Sequence, residues 1–228
     1  MAEKDRLDRG HRSRSGTLGT KANRLNSQAG NFIILNDLVL MKITQVTSLV
    51  ALYGPRTTVL VALDDGTYEF SYGCTPEGCQ LDDGSWHPWI CSRHKIQISS
   101  DAKIFSPANL RAAQEVPGYK KLVEHFLEKR YTLRYSGGLV PDIYQQFTKE
   151  QGIFANPTSK GSPAKLRLAF EAAPFGLLVE KASGKTSDGV TGGSILDVEI
   201  NGVDQRTAIC IGSSNEVERF NVMLSLSS

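Results

Sequence analysis

Hydrophobic and polar positions follow two different periods along the chain, and together they predict both strands and helices. Residues 57–63 are apolar and rich in β-branched side chains, and residues 68–72 alternate between apolar and polar. We therefore predict two strands joined by a turn at residues 64–67. Residues 95–99 alternate again and predict another strand.

Helical spacing is clearest at residues 119–127, where apolar side chains recur at i, i+3, i+4, i+7 and i+8. The pairs Ser106-Pro107 and Ser162-Pro163 resemble helix starts and predict helices over 106–113 and 165–173. Pro174 is expected to kink or end the second of these helices, which resumes to residue 183. The remaining predicted elements are helices over 140–150 and 215–224 and short strands over 133–135, 194–200 and 207–211.

Because strands and helices alternate, the predicted fold class is α/β, with a mixed sheet flanked by helices. Residues 45–228 are expected to form one folded domain. Residues 1–30 are polar, with few large apolar side chains, and are predicted to be disordered. Residues 31–44 are apolar without a regular period and fit no predicted element.

Positive charge is concentrated in residues 1–44, which hold eight Lys and Arg against four Asp and Glu. The whole chain has a net charge of +2, so residues 45–228 carry −2, which argues against a nucleic-acid-binding domain. The basic segment could bind nucleic acid or anionic lipid, but it lacks interleaved aromatics and an amphipathic period, which favours a solvated tail. Polar residues interrupt the apolar run 32–50, so no membrane span is predicted. A soluble protein is expected.

Three cysteines and two histidines lie close together in the sequence and raise the possibility of a zinc site. These residues are Cys74, Cys79, His87, Cys91 and His94. Their spacing lacks the closely spaced cysteine pairs of most structural zinc sites, so a loop with reduced thiols is the favoured interpretation.

Glu171 lies within a nearly apolar run, six residues after Lys165. An ionised carboxylate is costly to bury without a partner. Three interpretations follow: an ion pair with Arg167 one turn earlier, exposure on a polar stripe, or coordination of a metal ion.

The order of several short motifs resembles the C-terminal half of the sugar bisphosphatases, the fructose-1,6-bisphosphatase and sedoheptulose-1,7-bisphosphatase family. The resemblance is greater to the sedoheptulose branch and covers about residues 45–225. Its motifs are residues 53–58, 105–112, 131–142, 152–154, 165–174, 180–182 and 187–189.

The resemblance implies a role for five residues. Asn109, Tyr135 and Lys165 would bind a sugar phosphate, and Arg134 would reach the phosphate bound by a neighbouring subunit. Glu171 would be a ligand for Mg²⁺. These residue types suit the chemistry, since phosphate prefers charge-assisted hydrogen bonds and Mg²⁺ prefers oxygen ligands. The implied partners are a sugar bisphosphate and further copies of the chain, in a homodimer or higher oligomer.

Each of these residues also has a purely structural interpretation. Arg134 and Lys165 could be solvated surface charges, and Asn109 could bond backbone in a turn. Tyr135 could be a core aromatic whose hydroxyl reaches the surface. The residues alone leave these alternatives open.

The metal-binding motif of this family, Asp-Pro-x-Asp-Gly followed by Ser or Thr, does not occur in the chain. The nearest match, residues 81–85, is interpreted as a hairpin turn. No catalytic residue is assigned, and Mg²⁺ binding is expected to be weak or lost. The first hypothesis is a sugar-bisphosphate phosphatase of the Calvin cycle or gluconeogenesis, releasing the C1 phosphate and present as a truncated form or as a half that works with a partner chain. The alternative is a non-catalytic phosphosugar-binding or dimerisation module.

Overall fold

The structure is a computed structural model that describes residues 45–73 and 89–226. Two separate β-sheets organise its fold. The first sheet is antiparallel, with its four strands in sequential order. Its strands are β1 (Ser48–Leu52), β2 (Thr58–Leu63), β3 (Gly66–Tyr72) and β4 (Trp89–Ile96).

The second sheet is mixed and has the strand order β6-β5-β7-β11-β9. Strand β5 runs parallel to β6 and β7, whereas β11 is antiparallel to β7 and β9. Its strands are β5 (Ile104–Pro107), β6 (Thr132–Leu133), β7 (Ile153–Asn156), β9 (Lys185–Ser187) and β11 (Ile209–Gly212). A small ladder pairs β8 (Leu166–Arg167) with β10 (Arg206–Thr207). The mixed sheet with flanking helices confirms the predicted fold class.

The four α-helices of the described ranges form layers around these sheets. They are α1 (Pro117–Glu128), α2 (Leu139–Lys149), α3 (Ala173–Glu180) and α4 (Ser214–Met223). Helix α3 is apolar on all sides and buried over seven of its eight residues, as expected for a helix between two sheets. It shares one hydrophobic core with α2 and the inner faces of both sheets, while α1 and α4 close a second core on the far side of the mixed sheet.

A buried carboxylate joins the first sheet to α2. Glu69 is 3% exposed, and its Oε1 lies 2.7 Å from Arg56 Nη2. Its Oε2 accepts a hydrogen bond of 2.6 Å from the Tyr144 hydroxyl. Burial, together with this bond, raises the pKa of Tyr144 to about 12. The Glu69 charge is thus met by fixed donors rather than by water, which lets a carboxylate lie between layers.

Two predicted helix starts are wrong, because neither Ser-Pro pair begins a helix. Ser106 and Pro107 belong to β5, where they pair with β7, and a short 3-10 helix follows at Leu110–Gln114. Pairing on both sides of β5 outweighs a local capping signal. The second pair, Ser162-Pro163, is followed by β8 and then by a π-helical turn at Leu168–Ala172. Pro174 lies in the first turn of α3, where its missing N–H costs no hydrogen bond.

Two predicted strands are also wrong or displaced. The strand predicted over 95–99 lies at Trp89–Ile96 and ends where Lys95 takes a positive φ of 43°. The segment predicted as a strand over 194–200 holds only a 3-10 turn, Ile195–Asp197, begun by the Ser194 hydroxyl accepting from the Leu196 amide. Strands β1, β7 and β9 were not predicted at all.

The predictions based on clear periodicity are confirmed. Strands β2 and β3 and helices α1, α2 and α4 lie within about two residues of the predicted bounds. No helix within the described ranges is both long and apolar enough to cross a membrane.

Several sequence predictions fall outside the described residues. These are the basic segment 1–44, the turn at 81–85, and Cys74, Cys79 and His87. Of the proposed zinc cluster, Cys91 and His94 lie on β4, and Cys91 is a free thiol.

Candidate functional site

A cavity of about 270 Å³ lies at one edge of the mixed sheet. The parallel strands β5, β6 and β7 end at this edge, so the residues that follow them come together, as is typical of ligand sites in α/β sheets. The polar residues that line the cavity are Asn109, Arg111, Tyr135, Asp142, Asn156 and Lys165.

Three of the predicted phosphate-binding residues meet in this cavity. Asn109 follows β5, Tyr135 follows β6, and Lys165 precedes β8. Arg134 and Glu171 do not line it. The topology of the sheet therefore gathers residues that are far apart in the sequence.

Asn109 clamps the wall of the cavity. It adopts the left-handed conformation, with φ 50° and ψ 44°. Its Nδ2 donates to the carbonyl oxygens of Pro157 and Ser162 at 2.8 Å each, and its Oδ1 accepts from the Ser162 hydroxyl at 2.6 Å. With its amide occupied in this way, Asn109 fixes the loop at residues 157–162 that leads to Lys165.

Tyr135 stands on a loop that is held by a buried carboxylate. Asp142, which is 2% exposed, accepts hydrogen bonds from the Ser136 amide at 2.6 Å and the Gly137 amide at 3.1 Å. Tyr135 itself is 46% exposed. Partial burial, with a smaller effect of the Asp142 charge, raises its pKa, so at neutral pH the phenol keeps its proton and can donate to an anion.

Two cations give the cavity its positive charge. Lys165 and Arg111 are both exposed and line the cavity, and neither forms an ion pair with any described residue. Among the described residues, Asp142 is the one carboxylate that lines the cavity, and it accepts hydrogen bonds from backbone amides. The sequence prediction did not include Arg111; its position two residues after Asn109, within the motif at 105–112, was the available signal.

Arg134 is fixed through its backbone rather than its side chain. Its amide donates to the Phe105 carbonyl at 2.9 Å, and its carbonyl accepts from Gln145 Nε2 at 3.0 Å and from the Ser106 hydroxyl. The guanidinium is exposed and finds no partner within residues 45–73 and 89–226. Leu133 beside it is 58% exposed.

Glu171 pairs with Arg167, as one of the three interpretations predicted. Its Oε2 accepts the Arg167 amide at 2.7 Å, and its Oε1 lies 3.6 Å from Arg167 Nη2. The carboxylate is 20% exposed, so one edge still faces solvent.

A model of the fructose-1-6-bisphosphatase C-terminal domain matches residues 98–225, which is more than half of the chain. The chain belongs to this family.

Its relatives include both branches of the sugar bisphosphatases. The chain is 47% identical over 184 residues to the chloroplastic sedoheptulose-1,7-bisphosphatase of Triticum aestivum, covering 79% of this chain and 43% of that protein. It is 40% identical over 174 residues to the class 1 fructose-1,6-bisphosphatase of Geobacter sulfurreducens, covering 76% and 51%. The resemblance predicted from the motifs is confirmed, including its greater similarity to the sedoheptulose branch.

A solved structure shares the fold. The putative sedoheptulose-1,7 bisphosphatase from Toxoplasma gondii superposes with a TM-score of 0.71 at 46% identity, over 82% of this chain and 59% of that one. The chain thus spans about half the length of the curated relatives it matches.

The fructose-bisphosphatase-family resemblance implies a divalent metal, but the described residues do not fit a complete metal site. Within residues 45–73 and 89–226, no three His, Cys, Asp or Glu side chains stand close enough to share an ion. Glu171 offers one carboxylate whose oxygens already meet Arg167. Mg²⁺ bound to protein needs near-octahedral oxygen coordination, which a single carboxylate cannot supply.

Asp188, in the family motif at residues 187–189, accepts hydrogen bonds from its own loop and so stabilises that loop. It is 7% exposed and accepts bonds from the Thr191 hydroxyl at 2.6 Å and from the amides of Val190, Thr191 and Gly192 at 2.8–2.9 Å. Burial tends to raise the pKa of Asp188, but these hydrogen bonds outweigh it and hold the pKa below its ordinary value.

We expect Asp188→Ala to lower the free energy of unfolding by about 2 kcal/mol at pH 7, because four donors lose their acceptor. Since the folded-state pKa lies below the unfolded value of about 3.9, this stability is complete above pH 4–5 and is lost as pH falls through the folded pKa. Urea unfolding between pH 7 and pH 3 should show the difference from wild type shrinking with acid. Exposed Asp204 provides the control, since Asp204→Ala should change stability by less than about 0.5 kcal/mol; a pH-independent deficit in Asp188→Ala would contradict the argument.

Proposed function

We propose that this chain carries the phosphate-binding half of a sugar-bisphosphate phosphatase site. The observation that supports this most directly is the cavity in which Asn109, Tyr135 and Lys165 meet. The substrate would be fructose-1,6- or sedoheptulose-1,7-bisphosphate, and the reaction would release the C1 phosphate as orthophosphate. The chloroplastic sedoheptulose-1,7-bisphosphatase among the relatives supports the chloroplast as the compartment, and the bacterial fructose-1,6-bisphosphatase supports the cytoplasm.

Charge and size both support a sugar phosphate as the ligand. Lys165 and Arg111 offer unpaired donors to a phosphate dianion, and the Tyr135 hydroxyl adds a neutral donor. A cavity of about 270 Å³ is at the small end of ligand sites, which suits a phosphorylated sugar end rather than a larger cofactor. Asn109 would act through the loop it holds, by keeping Lys165 in place.

We infer that hydrolysis needs groups beyond the described residues. A divalent metal would supply Lewis-acid activation of the phosphate and of water. Glu171 could contribute one oxygen to such an ion only by giving up its contacts to Arg167. The chain's own residues would therefore bind and orient the phosphate that stays on the sugar after the C1 phosphate is released.

The second candidate function is a phosphosugar-binding module without hydrolysis. It is supported by the absence of a metal-ligating group of three among residues 45–73 and 89–226. Both functions share the cavity and differ only in turnover.

Orthophosphate release by the purified 228-residue chain, with Mg²⁺ and either bisphosphate, separates the two functions. Calorimetric titration of the same bisphosphates tests the cavity itself. Binding with turnover that disappears in Glu171→Gln would support the phosphatase with Glu171 as a metal ligand. Binding without turnover, unchanged by removal of Mg²⁺, would support the binding module, and no binding of either bisphosphate would refute both.

We expect Lys165→Ala to weaken bisphosphate binding about tenfold, because a hydrogen bond to a charged group contributes about 1.5 kcal/mol or more. Lys160→Ala is the matched control, because Lys160 is also exposed in the same loop but does not line the cavity. Its affinity should equal that of wild type in calorimetry. Equal weakening in both variants would mean that only general positive charge matters.

We propose further that Arg134 acts across a contact between two copies of the chain, in a homodimer or higher oligomer. Its exposed, unpaired guanidinium beside exposed Leu133 supports this role. Arg134→Ala should then weaken bisphosphate binding in the oligomer and leave a dilute monomer unaffected, with light scattering reporting the assembly. Equal weakening in the monomer would argue against it.

A further inference from the structure

Apolar side chains lie on both faces of the first sheet. On the inner face, Val50, Leu60 and Ala62 belong to the main hydrophobic core, and the Thr67 hydroxyl donates to the Leu178 carbonyl of α3 at 2.7 Å. An antiparallel sheet with one face in water normally alternates apolar residues inside with polar residues outside. This sheet does not follow that rule.

The strand register aligns a second set of apolar side chains on the outer face. Val59 lies opposite Phe70, which lies opposite Cys91, and Val61 lies opposite both Leu49 and Tyr68. All of these side chains are partly exposed, and none belongs to either hydrophobic core of the described residues. The outer-face residues are Leu49, Val59, Val61, Tyr68, Phe70 and Cys91.

Two aromatic residues extend this apolar surface. Tyr72 and Trp89 are cross-strand partners with ring centroids 5.1 Å apart, and they are 53% and 40% exposed. A contiguous exposed apolar patch of this kind marks a surface that another element covers.

A suitable element lies immediately before the sheet in the sequence. Nine of the twelve residues in 32–43 are apolar, interrupted only by Asn36, Asp37 and Lys42. This segment ends five residues before β1 begins at Ser48, and β1 is an edge strand of the sheet. Twelve residues span about 18 Å as a helix or about 40 Å when extended. Four strands are about 14 Å wide, so the segment is long enough to cross the face in either form.

We propose that residues 32–43 cover the outer face of the first sheet. Two apolar surfaces of one chain, joined by a linker of four residues, meet at an effective concentration in the millimolar range. A second copy of the chain would have to compete with that tether from a far lower bulk concentration. The apolar run, which fits no amphipathic period, is then explained as one layer of the domain rather than part of a solvated tail.

The reactivity of Cys91 reports directly on this cover, because its thiol lies on the outer face. In a Cys74→Ser/Cys79→Ser background, buried Cys210 remains as an internal control for folding. We expect a water-soluble maleimide to label Cys91 at least tenfold faster in Leu38→Asp/Leu40→Asp than in the parent. The matched control Asn31→Asp/Asn36→Asp adds the same charge at polar positions and should label at the parent rate.

Three results would overturn the proposal. Rapid labelling of Cys91 in both the parent and Leu38→Asp/Leu40→Asp would mean that the face is uncovered. Slow labelling in both would mean that a different segment covers it. Protection that appears only as light scattering detects a dimer would assign the face to a second copy.

A second measurement avoids any variant that unfolds. Leu38→Cys in the same background should form a short bismaleimide cross-link to Cys91, identified by mass spectrometry of the monomer band. Ser15→Cys, outside the apolar segment, should not. Absence of the Leu38→Cys cross-link at equal labelling of both thiols would refute the proposal independently of stability.

Discussion

Replacement of Asp142 by alanine should loosen the cavity and destabilise the protein at once. The carboxylate is 2% exposed and accepts hydrogen bonds from the amides of Ser136 and Gly137, so its loss leaves two loop amides without their acceptor. Charge-assisted bonds contribute about 1.5–3 kcal/mol each, and water can replace part of the lost bonding. We expect a loss of about 3 kcal/mol in the free energy of unfolding by urea titration.

The same variant should bind bisphosphate about tenfold more weakly, because Tyr135 is carried by the loop that Asp142 holds. Asp142→Asn keeps the volume and one acceptor oxygen and should show about half of both effects. Glu124→Ala, at an exposed position on α1, should change neither stability nor affinity. A destabilised Asp142→Ala protein with wild-type affinity would show that the loop does not form the ligand site.

The elements that could be predicted are those in which the local sequence pattern and the tertiary packing favour the same conformation. Helix α1 was predictable because its buried residues Tyr119, Leu122 and Phe126 repeat at helical spacing. Strand β7 was not, because all four of its residues are buried on both faces and leave no alternation to detect. The Ser106-Pro107 pair misled because the sheet, rather than the local capping signal, decides the conformation there.

The site divides along similar lines. The family resemblance pointed to Asn109, Tyr135 and Lys165, which the parallel strands bring to one cavity. It assigned no role to Asp142 or Arg111, although both lie within its motifs. The contribution of Asp142 depends on how the loop before α2 folds back onto the first turn of that helix, which no periodic pattern shows. Arg111 was predicted within a helix over 106–113, whereas it lies in the 3-10 helix Leu110–Gln114 at the edge of the cavity. Glu171 shows the converse, because its pairing with Arg167 was one of the three interpretations that the residues alone offered, and the structure shows that pair.

Gly212→Ala should produce the largest loss of stability of the substitutions considered. Gly212 has φ of +143° and lies where β11 pairs with both β7 and β9. An added Cβ would stand 2.1 Å from the Gly152 carbonyl oxygen and 2.8 Å from Gln146 Oε1. The backbone carbonyl is held by the Ser213 amide at 2.8 Å and cannot move aside cheaply. Overpacking and backbone strain together should cost about 3–5 kcal/mol.

Gly202→Ala is the control, since an added Cβ there meets nothing within 4 Å and should change unfolding by less than about 0.5 kcal/mol. The clash at Gly212 lies at the start of β7, whereas the cavity lies at its other end, beside Asn156. The folded fraction of Gly212→Ala should therefore bind bisphosphate with wild-type affinity, and saturating ligand should raise its unfolding free energy by the same amount as in wild type. A smaller ligand-induced gain would mean that strain at Gly212 reaches the cavity along β7, so that the substitution changes both stability and binding.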